Sequence, residues 1–258
     1  MKRFDVVTLF PGMLDALTEH GITQRARDRG HFELVAWNPR DFAGNAYRSV
    51  DDRPYGGGPG MVMTVDPLAK AIRAARSRQS SCGVSVSRTV YLSPQGRPLN
   101  QGLVDELAGV EGLVLLAGRY EGVDERLIEL EIDEEVSIGD YVLSGGELAA
   151  MVVIDSIVRR IPGVLNDAGS ASQESFVDGV LDFPQYTRPD VYADQSVPQV
   201  LLSGNHADIR RWRSKQALGR TWRRRPDLLA KLQLDVEQAK LLEEYRAEYG
   251  ETENTGVK

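Results

Sequence analysis

The chain has 258 residues, 41% of them hydrophobic and 27% charged, which bounds it to one large domain or two modest ones with a real core. Its formal net charge of −7 argues against a protein that coats nucleic acid indiscriminately. The single cysteine, Cys82, excludes an internal disulfide and points to a reducing cytoplasm, and the scattered His20, His31 and His206 give no zinc-ligand spacing.

The N-terminal apolar run is too short for a secretory signal core and is broken by Asp5. The longest apolar stretch, Leu148–Val158, is interrupted by Asp155 and falls short of the ~20 residues that a membrane helix needs. Phe4–Leu9 reads as a first buried strand ending at Phe10-Pro11-Gly12. Met13–Glu19 and Ile22–Arg29 read as short helices and Phe32–Ala36 as a second strand. Asp41–Gly60 has no periodic segment and ends in YGGGPG (Tyr55–Gly60), a flexible loop. Val65–Arg78 has helical spacing, with Asp66 and Pro67 in its first turn.

Three units then repeat one grammar. Strand Thr89–Leu92 is followed by SPQG (Ser93–Gly96) and helix Gln101–Ala108. Strand Leu113–Ala117 is followed by GRYEG (Gly118–Gly122) and helix Asp124–Leu130. Strand Glu134–Ile138 is followed by GDYVLSGG (Gly139–Gly146) and helix Glu147–Arg160. This alternation predicts an α/β fold with a parallel sheet covered by helices over residues 1–160. Ligands of such sheets sit beyond the carboxyl ends of the strands, where all three glycine-bearing loops fall. Residues 161–185, with the polar run Asn166–Ser175, read as a flexible linker. A small, mainly helical domain follows over 186–258, with helices Asp208–Leu218, Pro226–Leu232 and Val236–Tyr249 and a frayed tail from Glu251.

Glycines let a backbone approach a ligand closely and expose N–H and C=O groups to it, which suits an adenine edge and a ribose. A single such loop is more economically a tight turn; three in consecutive units favour one pocket. No G-x-G-x-x-G follows the first strand and no G-x-x-x-x-G-K-[ST] occurs, which disfavours a dinucleotide dehydrogenase and a nucleotide triphosphatase. Between His206 and Lys231 nine basic residues face only Asp208 and Asp227, a local patch able to steer an anionic partner. Trp212 and Trp222 lie within it and fit a helix core better than a base-stacking role.

The motifs DDRPYGGGPGM (Asp51–Met61), YLSPQG (Tyr91–Gly96), GRYEGVDER (Gly118–Arg126), EIDEEVSIGDYVLSGGE (Glu131–Glu147), IPGVL (Ile161–Leu165), YTRP (Tyr186–Pro189), LLSGNHADIRRWR (Leu201–Arg213) and GRTWRRRP (Gly219–Pro226) together closely resemble the bacterial tRNA (guanine-N1-)-methyltransferase family, of the knotted SPOUT class. The resemblance spans Phe4 to about Tyr245. It implies methylation of guanine N1 immediately 3′ of the tRNA anticodon (position 37), with S-adenosyl-methionine as donor. It also implies a homodimer with shared active sites, and a deep trefoil knot that local rules do not predict.

By position, the cofactor residues would be Tyr91, Leu92, Ser93 and Pro94 in the first loop and Gly118, Tyr120 and Glu121 in the second. The third loop would supply Ser137, Ile138, Gly139, Asp140, Tyr141, Val142, Leu143, Gly145 and Gly146. The resemblance also implies a need for Mg²⁺, for which Glu121 is the acid at hand, although alone it is a weak metal signal. Guanine N1 carries a proton near neutral pH, so the chemistry calls for a general base. The family uses an aspartate before a Ser-Phe pair, and here that position is Glu174, with Asp178 and Asp167 as alternatives. Arg159 matches the arginine that stabilises charge on the guanine oxygen, although an ion pair with Asp155 would also explain it. The family often has proline where this chain has Ala149. For tRNA the expected contacts are Arg53, Tyr55, His206, Arg210, Arg211, Arg220 and Arg224, with Ser203–His206 as a helix-capping turn. Two rivals stand beside this reading: a SPOUT enzyme with another RNA substrate, and a non-catalytic RNA-binding protein, which only the Glu174 departure favours.

Overall fold

The computed structural model describes residues 1–165 and 174–249. The chain divides into two compact units, Met1–Ala168 and Gly169–Lys258. Asp167, most of the Asn166–Ser175 run and the tail from Glu251 lie outside the described residues.

The first unit runs β1 (Lys2–Val7), a 3₁₀ turn at Pro11–Leu14, α1 (Asp15–Thr18), α2 (Gly21–Asp28), β2 (Phe32–Trp37), a second 3₁₀ turn at Pro39–Phe42, β3 (Asp51–Asp52), β4 (Val62–Met63) and α3 (Val65–Ser81). It continues with β5 (Ser87–Pro98), α4 (Gln101–Ala108), β6 (Gly112–Ala117), α5 (Glu125–Glu131), β7 (Glu134–Ser137) and α6 (Glu147–Val158). Five strands form one sheet in the order β2-β1-β6-β5-β7, and every pair is parallel. A strand buried on both faces must be apolar throughout, and β6, GLVLLA, is buried at every residue. Phe4, Val90, Leu113 and Leu115 pack on one face with Leu103 and Leu107 of α4 and Val153, Ile154 and Ile157 of α6. Val7, Tyr91, Val114 and Leu116 pack on the other with Leu68 and Ile72 of α3 and Leu127 of α5. Among the described residues no helix is long and apolar enough to cross a membrane.

Three expectations are corrected here. Ser93–Gly96 is not a turn after a short strand: β5 continues to Pro98, and both Leu92 and Arg97 pair with Val136, so the four residues between them bulge out of the β5–β7 ladder. The Asp41–Gly60 segment is not a structureless loop, because Asp51 and Asp52 pair antiparallel with Met63 and Val62 and close its base. The 161–185 segment is not a linker over its length. Val164 is buried in the first unit, and Val180 packs on the core of the second.

The second unit contains the antiparallel pair β8 (Val191–Tyr192) and β9 (Gln195–Ser196), then α7 (Gln199–Leu202), α8 (His206–Arg224), α9 (Pro226–Leu229) and α10 (Val236–Tyr249). Helix α8 is longer than its apolar spacing indicates. It starts at His206, two residues before the expected Asp208, with Asn205 Oδ1 of the expected capping turn accepting from Ala207 N–H at 3.1 Å. Leu218 of α8 meets Leu241 and Leu242 of α10, with Trp222 partly buried against them. A side chain at Gly219 would strike the Tyr245 ring, so only glycine allows this approach.

Gly96 is the analogous point in the sheet: a Cβ there would lie 2.3 Å from the Val136 amide nitrogen. Gly96→Ala is expected to lower the unfolding free energy by about 1–3 kcal/mol, the usual cost of overpacking. Urea denaturation checks this, and an unchanged midpoint would show that β7 can retreat.

Candidate active site

The Ser93–Gly96 bulge of β5 and the loops that follow β6 and β7 belong to three neighbouring parallel strands, so they lie side by side. Together they line a half-open cleft with a volume of about 150 Å³. Of the sixteen residues expected to hold the cofactor, fifteen line this cleft; Asp140 is exposed and does not.

Backbone contacts stitch the loops together. Gly146 N–H donates to the Gly118 carbonyl at 2.9 Å, joining the third loop to the second. A Cβ on Gly146 would lie 2.7 Å from Ala117 Cα, and one on Gly118 would lie 2.9 Å from the Tyr91 ring. Gly139 holds a φ of +148°, and the loop turns there with Tyr141 N–H donating to the Gly139 carbonyl at 2.9 Å. Burial pushes the Tyr91 phenol above its ordinary pKa, with Glu135 and Glu125 adding to the effect, so it stays neutral.

Arg119, which the sequence reading passed over, braces the cleft. Its Nε lies 2.9 Å from Glu147 Oε2, an ion contact without the direction of a hydrogen bond. Its Nη1 donates to the Ser144 carbonyl at 3.0 Å, and its guanidinium lies 4.4 Å from the Phe10 ring centroid. Glu147 is fully buried and also accepts from Thr8 Oγ1 at 2.9 Å. Gly145 is the sequence signal, readable only with the fold: a Cβ there would lie 2.2 Å from Arg119 Nε. Gly122, Val136, Ser144 and Ala149 line the cleft as well. Ala149 is the position where the resemblance leads one to expect proline.

The Gly-rich segment is fastened beside the second loop, with Glu121 N–H donating to the Met61 carbonyl and Met63 N–H to the Gly122 carbonyl, both at 2.9 Å. Beyond it Arg53 and Tyr55 are exposed, Tyr55 at 98%, and neither lines the cleft. Burial raises the Tyr120 phenol pKa, Asp51 raises it further and Arg40 opposes them. Among the described residues no three His, Cys, Asp or Glu side chains are grouped to hold a metal.

The expected catalytic pair is placed differently. Arg159 is half-buried at the C-cap of α6, thirteen residues beyond Gly146, and a rise of 1.5 Å per residue puts it about 20 Å along the helix from the cleft. It is therefore not a wall of its own chain's cleft. Glu174 belongs to the second unit, where it lines a cavity with Asp178, Arg210 and Arg213. His206, Arg210 and Arg224 are exposed and Arg220 is half-buried. Arg211 is already engaged, both Glu244 oxygens lying 2.7 Å from its Nη2.

A sequence profile for the tRNA (guanine-1)-methyltransferase TrmD family matches residues 1–231. The chain belongs to this family. A tRNA (guanine-N(1)-)-methyltransferase of Nitrosospira multiformis is 63% identical over 249 residues, 95% of this chain and 97% of that one. The protein of the same description from Methylobacillus flagellatus is 62% identical over 96% of this chain and 94% of its own, and one from Pseudomonas putida is 58% identical over 95% and 97%. A methyltransferase of this family implies S-adenosyl-methionine as methyl donor, and the cleft fits it: glycines at 118, 139, 145 and 146 let the Tyr91, Tyr141 and Arg119 side chains and the Ala117 backbone pack close around it, and Tyr91 and Leu92 offer apolar walls.

Two outcomes follow from the geometry. Removing the Glu147 carboxylate leaves Arg119 unpaired in a desolvated place, so Glu147→Ala is expected to cost about 3–5 kcal/mol in chemical denaturation. Asp51→Asn is expected to move the Tyr120 phenol pKa down toward the ordinary ~10, as read by difference absorbance during alkaline titration against a Tyr120→Phe control.

Proposed function

We propose that the protein transfers the methyl group of S-adenosyl-methionine to N1 of the guanosine immediately 3′ of the tRNA anticodon, position 37. The observation that carries this reading is the convergence of the β5 bulge and the loops after β6 and β7 on one glycine-bearing cleft in a chain of this family. Tyr91–Pro94, Gly118–Glu121 and Ser137–Gly146 would hold the cofactor, and the family's trefoil knot would be formed by these loops. Bound there, the cofactor supplies an electrophilic methyl group on a sulfonium.

The chain's own residues have two tasks. The Glu174 carboxylate accepts the N1 proton of guanine, which leaves the nitrogen lone pair free to attack. The Arg159 guanidinium stabilises the negative charge that then builds on the guanine oxygen. Because Arg159 lies a helix length from its own cleft, the active site is read as shared between two copies of the chain. The outer face of α6 supports a homodimer, since Leu148 and Val152, one turn apart, are 46% and 44% exposed, and Val142 in the third loop is 85% exposed. The second unit is the tRNA-binding part in this reading, with Arg210, Arg220 and Arg224 on phosphates and His206, Arg53 and Tyr55 beside the substrate. Arg211 would have to leave Glu244 to join them. Magnesium use rests on Glu121 alone, and a cytoplasmic location follows from the substrate and the lone cysteine.

Incubation with labelled S-adenosyl-methionine and two tRNA transcripts, bearing guanine or adenine 3′ of the anticodon, tests the activity. Label is expected only in the first; none in either sinks the enzyme reading, and equal label in both sinks the site. Glu174→Gln is expected to lower transfer by about 10²–10⁴ with cofactor affinity unchanged in a binding titration. Near-parental activity in that variant would move the base to Asp178 or Asp167.

A further inference from the structure

We propose that Thr221 is a positioning residue for methyl transfer, its buried hydroxyl clamping the loop that carries Glu174 onto α8. The inference rests on the reading of Glu174 as the base. Glu174 opens a tight loop that ends at Leu181. Phe176 N–H donates to the Val180 carbonyl at 2.8 Å and Gly179 N–H to the Phe176 carbonyl at 3.3 Å, which closes the loop on itself. Ser175 Oγ accepts from Asp182 N–H at 2.9 Å, tying the residue after Glu174 to the loop's exit. Phe176 holds a φ of +75°, a conformation that a side-chain-bearing residue keeps only when its surroundings impose it.

Helix α8 imposes it. Thr221 is fully buried, and its Oγ1 donates to the Ala217 carbonyl one turn back at 2.8 Å. With the proton committed there, the lone pairs are left for an incoming donor, and Leu181 N–H fills that place at 2.8 Å. One helical turn further on, the Arg225 guanidinium lies 6.0 Å from the Phe176 ring centroid. Val180 packs on the cluster around Leu218. The loop is thus fixed to the helix that also carries Arg210 and Arg213, and all three charged groups line one cavity. A carboxylate displaced by about 1 Å can lose roughly a hundredfold in rate, so the clamp bears directly on proton abstraction.

The test compares Thr221→Val, which keeps the shape and removes the hydroxyl, with Thr221→Ser, which keeps the hydroxyl. Single-turnover transfer is expected to fall about ten- to a hundredfold in Thr221→Val with KM for S-adenosyl-methionine unchanged, and Thr221→Ser is expected to recover most of it. A Thr221→Val rate within twofold of the parent overturns the proposal, as does a Ser variant as slow as Val, or a KM for the cofactor that rises in step. If the Val variant fails to fold, amide exchange in the parent decides: Leu181 N–H is expected to be protected, and fast exchange there overturns the clamp. Glu174→Gln in the same assay separates the premises. If it is active, the base reading falls; if it is inactive while Thr221→Val is parent-like, the clamp alone falls.

Discussion

The close passage of the third loop over the end of β6 governs the rest of the first unit. Gly146 lies against Ala117 and Gly118 with no room for a side chain, and its N–H is bonded to the Gly118 carbonyl. That contact sets where α6 begins. It places Glu147 in the first turn, where the helix dipole favours an acid, and buries it beside Thr8 and Arg119. A buried carboxylate is costly unless it is paired and hydrogen-bonded, and here both conditions are met. Arg119 in turn holds the Ser144 carbonyl, so the loop that must be open to a ligand is braced from beneath by a charged pair.

Much of this was legible in the sequence, for a local reason. The parallel strands advertise themselves by continuous burial, as in GLVLLA of β6, and the helices by spacing and caps, as at Asn100 and Asn205. What was not legible depends on residues far apart in the chain. Ser93–Gly96 carries the proline and glycine of a turn, but pairing of Arg97 with Val136 draws it into the strand. Arg119 gives no local signal because its partners, Phe10, Ser144 and Glu147, come from distant parts of the chain. The order β2-β1-β6-β5-β7 puts the last three strands side by side, and local periodicity says nothing about neighbours.

The candidate chemistry was legible only as residue types. Glu174 and Arg159 were found by the motifs around them, and neither position follows from propensity. The structure adds that Arg159 and the cleft occupy opposite ends of α6, a fact about helix length rather than composition. A site that needs both groups must therefore be completed from outside the single chain's cleft, and the apolar outer turn of Leu148 and Val152 is on the same helix. One element would thus form the cofactor wall at its start, the subunit contact along its side and the charge stabiliser at its end.

Helix α8 shows why counting basic residues overstates an anion-binding surface. At 100° per residue, Arg211 and Lys215 fall on the side that meets α10, and Glu244 and Glu248 neutralise them there at 2.7 Å. Leu218 and Trp222 share that side, Leu218 buried and Trp222 partly buried in the same contact. Arg210, Arg213, Arg220 and Arg224 fall instead within an arc of about 80° on the other side. Among the described residues no carboxylate pairs with Arg210, Arg220 or Arg224, and Arg213 lies over the Phe183 ring at 4.6 Å. Thr221 sits at the margin of that arc, so the arginine stripe and the anchored Glu174 loop are set by the same helical phase. A one-residue slip in α8 would rotate the stripe by a quarter-turn and more, and would take the carboxylate's anchor with it. The arginine stripe and the Glu174 anchor are in this sense a single geometric specification, written into the spacing of Arg210, Ala217 and Thr221 along one helix.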